Sequence, residues 1–374
     1  MKPNTAQRDV VVIGGGQAGL AIGHHLAQAG RSFTILEAAD APAAAWRSRW
    51  DSLKLFTPVR YDSLPGLQFP GDPDSYPGRD DVVDYLSEYA RHFDLPVELR
   101  SRVTSVRRAD EGDGYRVEVD DGRVYEASQV VVATGPFQVP RTPAIARELD
   151  GDVFQIHSSE YRTPDALPPG PVLVVGGGNT GYQIAAELTK RHETHLAIGS
   201  KQTPLPQRIL GRDLFTFLER GGMMRKSVET RLGRKASQRD TLIGSTRRGL
   251  RRQGVAPRPR AVEAAGTEVR FEDGSSMTPS AVIWATGFAV DHSWIDVPDV
   301  FDDAGRAVHR RGVTESPGLY FLGLPWLHTR GSALLGWVKD DAQYIADRIG
   351  ELGTPAPART ATTPTPSQTQ RTHA

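Results

Sequence analysis

The residues in this chain that could do chemistry begin with glycines. In VVVIGGGQAGLAIGHHL, residues 10–26, Gly14, Gly16 and Gly19 follow a β-branched apolar run and open a helix-like stretch. That order suits a pyrophosphate. Gly14 permits a tight turn, Gly16 lets the backbone approach the phosphates, and Gly19 lets helix and strand pack closely. The helix N-terminus then faces the anion with its partial positive charge. Gln17 and Ala18 lie inside the same turn. Glu37 closes the next apolar run, where it can accept hydrogen bonds from a ribose hydroxyl.

A second stretch, VLVVGGGNTGYQIAAEL at 172–188, repeats the arrangement with Gly176, Gly178, Asn179, Thr180 and Gly181. Its following strand ends in AIGSKQT, with Ser200 and Lys201 and no acid. The difference is chemical. A carboxylate accepts from a free 2′-hydroxyl and repels a 2′-phosphate, whereas a Ser-Lys pair donates to a phosphate. The first turn therefore suits FAD or NAD and the second suits NADPH. Arg208 is a second candidate for the same phosphate. Either turn alone also fits a ligand-free strand–turn loop, and Lys201 also fits a solvated surface lysine. Two nucleotides on one chain imply hydride transfer from a nicotinamide to a flavin, with the protein positioning the rings.

The elements that must position these groups can be read along the chain. Strands are expected at Val10–Ile13, Phe33–Leu36, Val97–Leu99, Val103–Arg107, Tyr115–Val119, Val124–Ala127 and in VVVATG at 130–135. A first helix is expected to run to Ala29, with Gly30 as its stop, and a second from Arg79 to His92. The second half adds Val172–Val175, a helix to about Arg191, Thr194–Ile198, VIWATG at 282–287, GLYFLGL at 318–324 and a helix over Ala333–Ile349. The pattern is α/β: two Rossmann-like dinucleotide-binding domains, with the NADPH domain inserted into the FAD domain. The expected limits are 1–165 and 282–352 for the FAD domain and 166–281 for the NADPH domain. A Pro/Thr-rich tail, 353–374, is expected to be disordered.

The 374 residues leave room for two domains. Net charge is zero, which favours neither nucleic acid nor a membrane surface as partner. No apolar run approaches the roughly 20 residues of a bilayer span, and MKPNTAQRD lacks the apolar core of a signal peptide. A cytoplasmic protein is expected, as a monomer or homodimer. Cysteine is absent, which removes disulfides, thiol nucleophiles and redox dithiols together, and no metal centre is expected. The Lys/Arg-rich stretch 225–260 has no interleaved aromatics, so a solvated excursion near the NADPH entrance is expected there rather than a nucleic-acid patch.

Two glycine turns, two ATG strands and IHSSEYRTPDALPPGPVLVVGGGNTG at 156–181 together resemble the class B flavoprotein monooxygenases. These include the flavin-containing and plant indole-pyruvate monooxygenases, and short bacterial relatives, some encoded beside metal or arsenic resistance genes. The resemblance covers about residues 8–350. It implies FAD at Gly14, Gly16, Gly19 and Glu37, and NADPH at Gly176, Gly178, Asn179, Thr180 and Gly181. It places Trp46, Arg47 and Trp50 in a segment folded over the flavin, and Val103, Thr134, Gly135 and Gly287 among the cofactor contacts. His157 falls in the linker motif; it and Arg330 are the candidate catalytic residues. His157 also fits an ordinary linker histidine satisfied by backbone. Three positions depart from the family pattern: Val153 for the linker glycine, AAA at 43–45 for a Gly-Gly before Trp46, and Phe56 or Thr57 for an asparagine beside the flavin.

In such flavoproteins the C-terminal helix points its N-terminus at the flavin pyrimidine. Amides around Ser332–Leu334 would then steady negative charge there, and Ser332 equally suits an N-cap. The implied activity is an NADPH- and FAD-dependent monooxygenase. It would oxygenate a small soft nucleophile or ketone with O2 through a flavin C4a-(hydro)peroxide. The alternative is a flavoprotein reductase or oxidase passing electrons to a quinone, metal complex or oxygen. A dithiol–disulfide reductase of the usual form is excluded by the missing cysteines.

Overall fold

The computed structural model describes residues 5–110, 112–200, 202–238 and 241–353. Lys201, and the tail from 354 onward, lie outside the described residues.

Val10–Ile13 has no polar face, so it suits only a strand covered on both sides. It is the buried half of the strand Thr5–Ile13, which lies inside an eight-stranded sheet. Thr5–Ile13 pairs in parallel with Phe33–Leu36 on one side and Val124–Val132 on the other. Tyr115–Val119 and Val103–Arg108 extend the sheet as an antiparallel meander, as the Asp121-Gly122 turn signal implies. The second unit repeats the plan with five parallel strands. Their order is Ala256–Arg258, Thr194–Ala197, Val172–Val175, Ala281–Trp284 and Phe154–His157. The expected α/β class, with two Rossmann-like units, is what the chain forms.

Three expectations change. The limits 165/166 and 281/282 cut through the second sheet, because Phe154–His157 pairs with Ala281–Trp284 rather than with the first sheet. The second unit thus begins before Phe154 and ends after Trp284. Next, the runs 124–127 and 130–135 form one strand, Val124–Val132. Polar Gln129 divides them in the sequence, yet it is 2% exposed. Its amide donates to the Ile349 carbonyl at 3.2 Å and accepts from the Tyr320 hydroxyl at 2.9 Å, so burial leaves it satisfied. Finally, the last helix spans Val338–Glu351, not Ala333–Ile349, and a separate 3₁₀ turn covers Arg330–Ala333. Gly336 explains the break. A Cβ there would lie 1.6 Å from the Tyr61 carbonyl oxygen, so the chain crosses another backbone at that point.

The Lys/Arg-rich stretch is also more ordered than expected. It carries the helices Arg231–Ser237 and Arg247–Arg252, and Leu242, Leu250 and Val255 join the core of the second unit. Just before it, residues 205–225 reach across to the first unit. Phe215 stacks on Phe56 at 5.9 Å and packs on Trp337 at 5.7 Å, while Tyr61 stacks on Trp337 at 5.5 Å. The Trp337 indole N–H donates to Glu219 at 3.1 Å.

Asp62 lies fully buried beside this cluster. It accepts one hydrogen bond, 2.6 Å from the Thr57 hydroxyl, and its Oδ2 has no partner among the described residues. Burial pushes the carboxyl up to about 8; the Thr57 bond opposes this and nearby Asp213 adds to it. The unfolded chain releases this proton near the ordinary carboxylate value. Folded Asp62 still holds it, so stability is lost as pH rises from about 4 to 8. Asp62→Asn should therefore gain more stability over the parent at pH 8 than at pH 5. We expect a gap of about 1–3 kcal/mol between the two pH values, read by thermal unfolding. An equal shift at both would contradict a proton held by Asp62.

Candidate functional site: two matched dinucleotide cradles

Both glycine turns have the same construction. A Cβ on Gly14 would lie 2.6 Å from the Ala133 carbonyl oxygen, and one on Gly176 would lie 2.1 Å from that of Ala285. Both glycines also have left-handed φ, +112° and +133°. A Cβ on Gly19 would meet the Gly14 oxygen at 1.9 Å, and one on Gly181 the Gly176 oxygen at 2.0 Å. The middle glycines differ from these four. A Cβ on Gly16 or Gly178 would meet nothing within 4 Å. Each turn is thus pinned by its outer glycines and open at its middle one, where a pyrophosphate needs the space. Gly16 and Gly178 are also the N-cap residues of Gln17–Gln28 and Asn179–Leu188, with no side chain capping either helix. The geometry fits a dinucleotide in each cradle.

What stands behind each turn differs. Behind the first, Glu37 accepts from the Gly15 amide at 2.7 Å and the Ala39 amide at 2.9 Å, which fixes its carboxylate beside the turn. A Cβ on Gly15 would touch that side chain at 3.0 Å. Behind the second, the matching place belongs to Gln202: a Cβ on Gly177 would lie 2.5 Å from its amide nitrogen. The Tyr182 hydroxyl donates to the Gln202 oxygen at 2.9 Å. Arg260 lies over Gly199 and donates to its carbonyl. A cavity of about 620 Å³ opens here, lined by the glycine turn, Asn179, Ser200, Gln202, Arg260, Thr286 and Gly287, among others. A carboxylate serves one cradle, and an amide with a guanidinium serves the other.

Gln202 and Arg260 were not among the residues singled out in the sequence. Gln202 lies just past the Ser-Lys pair. Arg260 arrives through topology, since Ala256–Arg258 is the strand beside Thr194–Ala197. Arg208, by contrast, does not line the cavity. It is exposed, with its guanidinium 6.0 Å over the Tyr76 ring, on the hairpin that pairs Arg208–Ile209 with Arg212–Asp213.

Several other expected residues turn out to be struts. The Gln17 amide donates to the Ala333 carbonyl at 2.9 Å and accepts from the Trp46 indole at 3.1 Å, tying the first helix to both flanking segments. Ala18 packs against the backbone of Gly323, where a Cβ would come within 2.7 Å. Asn179 accepts from the Ile243 amide at 3.0 Å, and Thr180 is half-buried on the same helix start. Thr134 accepts from the Gln138 amide at 2.9 Å, as does the Gly135 carbonyl. Val103 packs at the edge of the first unit's core.

Trp50 is corrected more sharply. It is 3% exposed and sits in the second unit's core with Tyr161, Val174 and Tyr182, not in a cover over the first cradle. Arg47 is exposed on the segment's outer side. The readings of Ser332 and Leu334 also change. The Ser332 hydroxyl accepts from the amides of His328 and Thr329, both at 3.0 Å, so it ties its own turn rather than capping the long helix. The Leu334 amide already donates to Gly331 at 2.8 Å, and its side chain joins the aromatic cluster.

His157 is 4% exposed and committed at both ring nitrogens. Its Nδ1 accepts from the Ser159 amide at 3.1 Å, so Nε2 carries the proton and donates to the Gly287 carbonyl at 3.1 Å. Burial holds its pKa below the ordinary value, which keeps this tautomer neutral. His157 is a strut for the second ATG turn, with no nitrogen left to move a substrate proton. Arg330 is different. Burial lowers its pKa, and its guanidinium has no hydrogen bond or ion pair among the described residues.

Comparison with known proteins agrees with this geometry. Residues 11–206 match the model of the family described as pyridine nucleotide-disulphide oxidoreductase. An uncharacterized CzcO-like oxidoreductase of Geobacillus kaustophilus is 43% identical over 343 residues, covering 91% of this chain and 98% of the relative. The indole-3-pyruvate monooxygenase YUCCA1 of Oryza sativa is 29% identical, covering 91% of this chain and 90% of that one. Among solved structures, the flavin-containing monooxygenase of Stenotrophomonas maltophilia superposes with a TM-score of 0.78 at 31% identity. The match covers 93% of this chain and 99% of that one. Flavin monooxygenases of this kind use FAD and NADPH. The chain belongs to the pyridine nucleotide-disulphide oxidoreductase family, on its class B flavoprotein monooxygenase-like branch.

Proposed function

We propose that the protein is an NADPH- and FAD-dependent monooxygenase acting on a small soft nucleophile or ketone. One observation carries the reading: two cradles of one geometry, backed by a carboxylate in the first and by an amide and a guanidinium in the second. In the first cradle, the Gly16 backbone and the helix start would hold the FAD pyrophosphate, with Glu37 on the ribose. In the second, Gly178 would hold the NADPH pyrophosphate. Ser200, Arg260 and Lys201 would meet the 2′-phosphate, which a carboxylate at Gln202 would repel. His157 would fix the Gly287 carbonyl at the nicotinamide end. The absence of cysteine removes the usual onward path for electrons and favours oxygen as acceptor.

Bound flavin, once reduced, supplies the oxygen-activating chemistry. The chain's part is to orient the rings and keep water out. The aromatic cluster of Phe56, Tyr61, Phe215 and Trp337 supports the second task, since it packs an apolar ring from residues 205–225 against rings of the first unit. Arg330, a half-buried cation without a partner among the described residues, would be the group to steady negative charge that develops on the bound reactants.

Two outcomes test this reading. A charge-assisted hydrogen bond to phosphate is worth about 1.5–3 kcal/mol, roughly ten- to a hundredfold in affinity. Arg260→Ala should raise the NADPH KM by about that factor and leave the NADH KM nearly unchanged, and Gln202→Glu should shift preference toward NADH. Equal effects on both cofactors would remove these residues from the 2′-phosphate. The second outcome concerns coupling. With a thioether such as methyl phenyl sulfide, or a cyclic ketone, NADPH consumption should yield oxygenated product while hydrogen peroxide falls. Stoichiometric peroxide across a broad panel of sulfides, amines and ketones would replace the monooxygenase with an oxidase.

A further inference from the structure

Each ATG strand ends in a glycine followed closely by a phenylalanine: Gly135 and Phe137 in the first unit, Gly287 and Phe288 in the second. The two turns meet. Val139–Pro140 pairs with Phe288–Ala289, and the two phenylalanine rings stand edge-to-face at 5.4 Å. The guanidinium of Arg49 lies against both, 4.6 Å from the Phe137 ring centre and 5.2 Å from that of Phe288. His157 approaches Phe288 from another side, edge-on at 4.9 Å. Thr286 and Gly287, the residues just before Phe288, are among those lining the cavity of the second cradle.

Arg49 is half-buried, and its charge is unmatched. Among the described residues its side chain makes no hydrogen bond and no ion pair. Burial lowers its pKa first, and the neighbouring Arg162 lowers it further. Arg162 spends its own guanidinium on the carbonyls of Ser48, Ser159 and Tyr161. The nearby acids are committed elsewhere: Asp51 pairs with Arg79, and the Glu160 carboxylate lies at the His157 amide. His157 is neutral. Among the described residues, the junction therefore holds two guanidinium groups and no carboxylate paired with Arg49. Aromatic faces steady a guanidinium from above and below, but they leave its N–H edge without acceptors. A desolvated cation left this way is costly unless an anion completes it.

We propose that Arg49 is a receptor for an oxyanion of a bound ligand at the junction of the two cradles. The group is a carboxylate of the substrate or a phosphate of the nicotinamide dinucleotide; both present oxygens that match a planar N–H edge. The location rests on the two-cradle reading. Ligand binding to oxidised protein needs no oxygenation, so a failure here is separable from a failure of the monooxygenase reading.

The test titrates FAD-loaded protein with three probes, phenylacetate, phenylacetamide and NADP⁺, reading tryptophan fluorescence and flavin absorbance. The parent should bind phenylacetate at least tenfold more tightly than its neutral amide if the substrate supplies the anion. Arg49→Met should then erase that preference and spare NADP⁺. If the dinucleotide supplies it, Arg49→Met should weaken NADP⁺ about tenfold or more and leave the other two unchanged. Arg49→Lys keeps the charge and should retain part of whichever effect is seen, which covers the case of a Met variant that folds poorly. Loss of thermal stability in Arg49→Met with all three probes bound as in the parent would overturn the proposal, leaving Arg49 as a stacked pin between the two turns.

Discussion

A carbonyl oxygen pressed against a bare Cα organises each half of this molecule. Gly14 sits against Ala133, Gly176 against Ala285, and Gly19 and Gly181 each sit against the first glycine of their own turn. Any side chain at these four positions would collide with backbone, which has nowhere to move. The contacts fix where each helix starts relative to its sheet, and so leave Gly16 and Gly178 facing open space. The strand that supplies the carbonyl is the ATG strand in both units. Its end thereby becomes part of the cradle, and the two ends can meet through Val139–Pro140 and Phe288–Ala289. The two cradles and the contact between their turns are consequences of one packing constraint, used twice.

The two cradles differ in what stands behind each turn, and the proposed choice of cofactor rests on that difference. It is small in extent and large in charge. A carboxylate held by two backbone amides serves the first, and an amide held by a tyrosine hydroxyl serves the second, with Arg260 alongside. Around them the chain adds struts rather than reactive groups. Gln17 links the first helix to Trp46 and Ala333, and His157 links the linker to Gly287. This is the division expected of a flavoprotein, in which the cofactors carry the electron chemistry and the protein sets distance, orientation and dryness.

The glycine turns and Glu37 were legible in the sequence because their constraint is written in residue type: only glycine fits those contacts. Buried parallel strands were legible because they have no polar face. Other features depended on contacts that no local pattern carries. Gln129 reads as a strand break until Ile349 and Tyr320 satisfy it in the core. Gly336 looks like an ordinary helix residue until the Tyr61 backbone crosses it. Arg260 reaches the second cradle because the strand just before it, Ala256–Arg258, is the neighbour of Thr194–Ala197. Arg208 and Ser332 failed for the complementary reason. Both had suitable chemistry at a suitable place in the sequence, and the fold gave each a local partner instead.

On the proposed function, the open middle glycines hold FAD in the first cradle and the nicotinamide dinucleotide in the second. The most direct measurement pairs Gly16→Val with Gly178→Val, comparing flavin content and anaerobic flavin bleaching. Both variants should fold, since neither added side chain meets a neighbour within 4 Å at its Cβ. Gly16→Val should be colourless. Gly178→Val should be yellow, inert to NADPH and still bleached by dithionite. A yellow Gly16→Val beside a colourless Gly178→Val would reverse the assignment. Full flavin content with normal NADPH bleaching in both would remove the cradles from cofactor binding altogether.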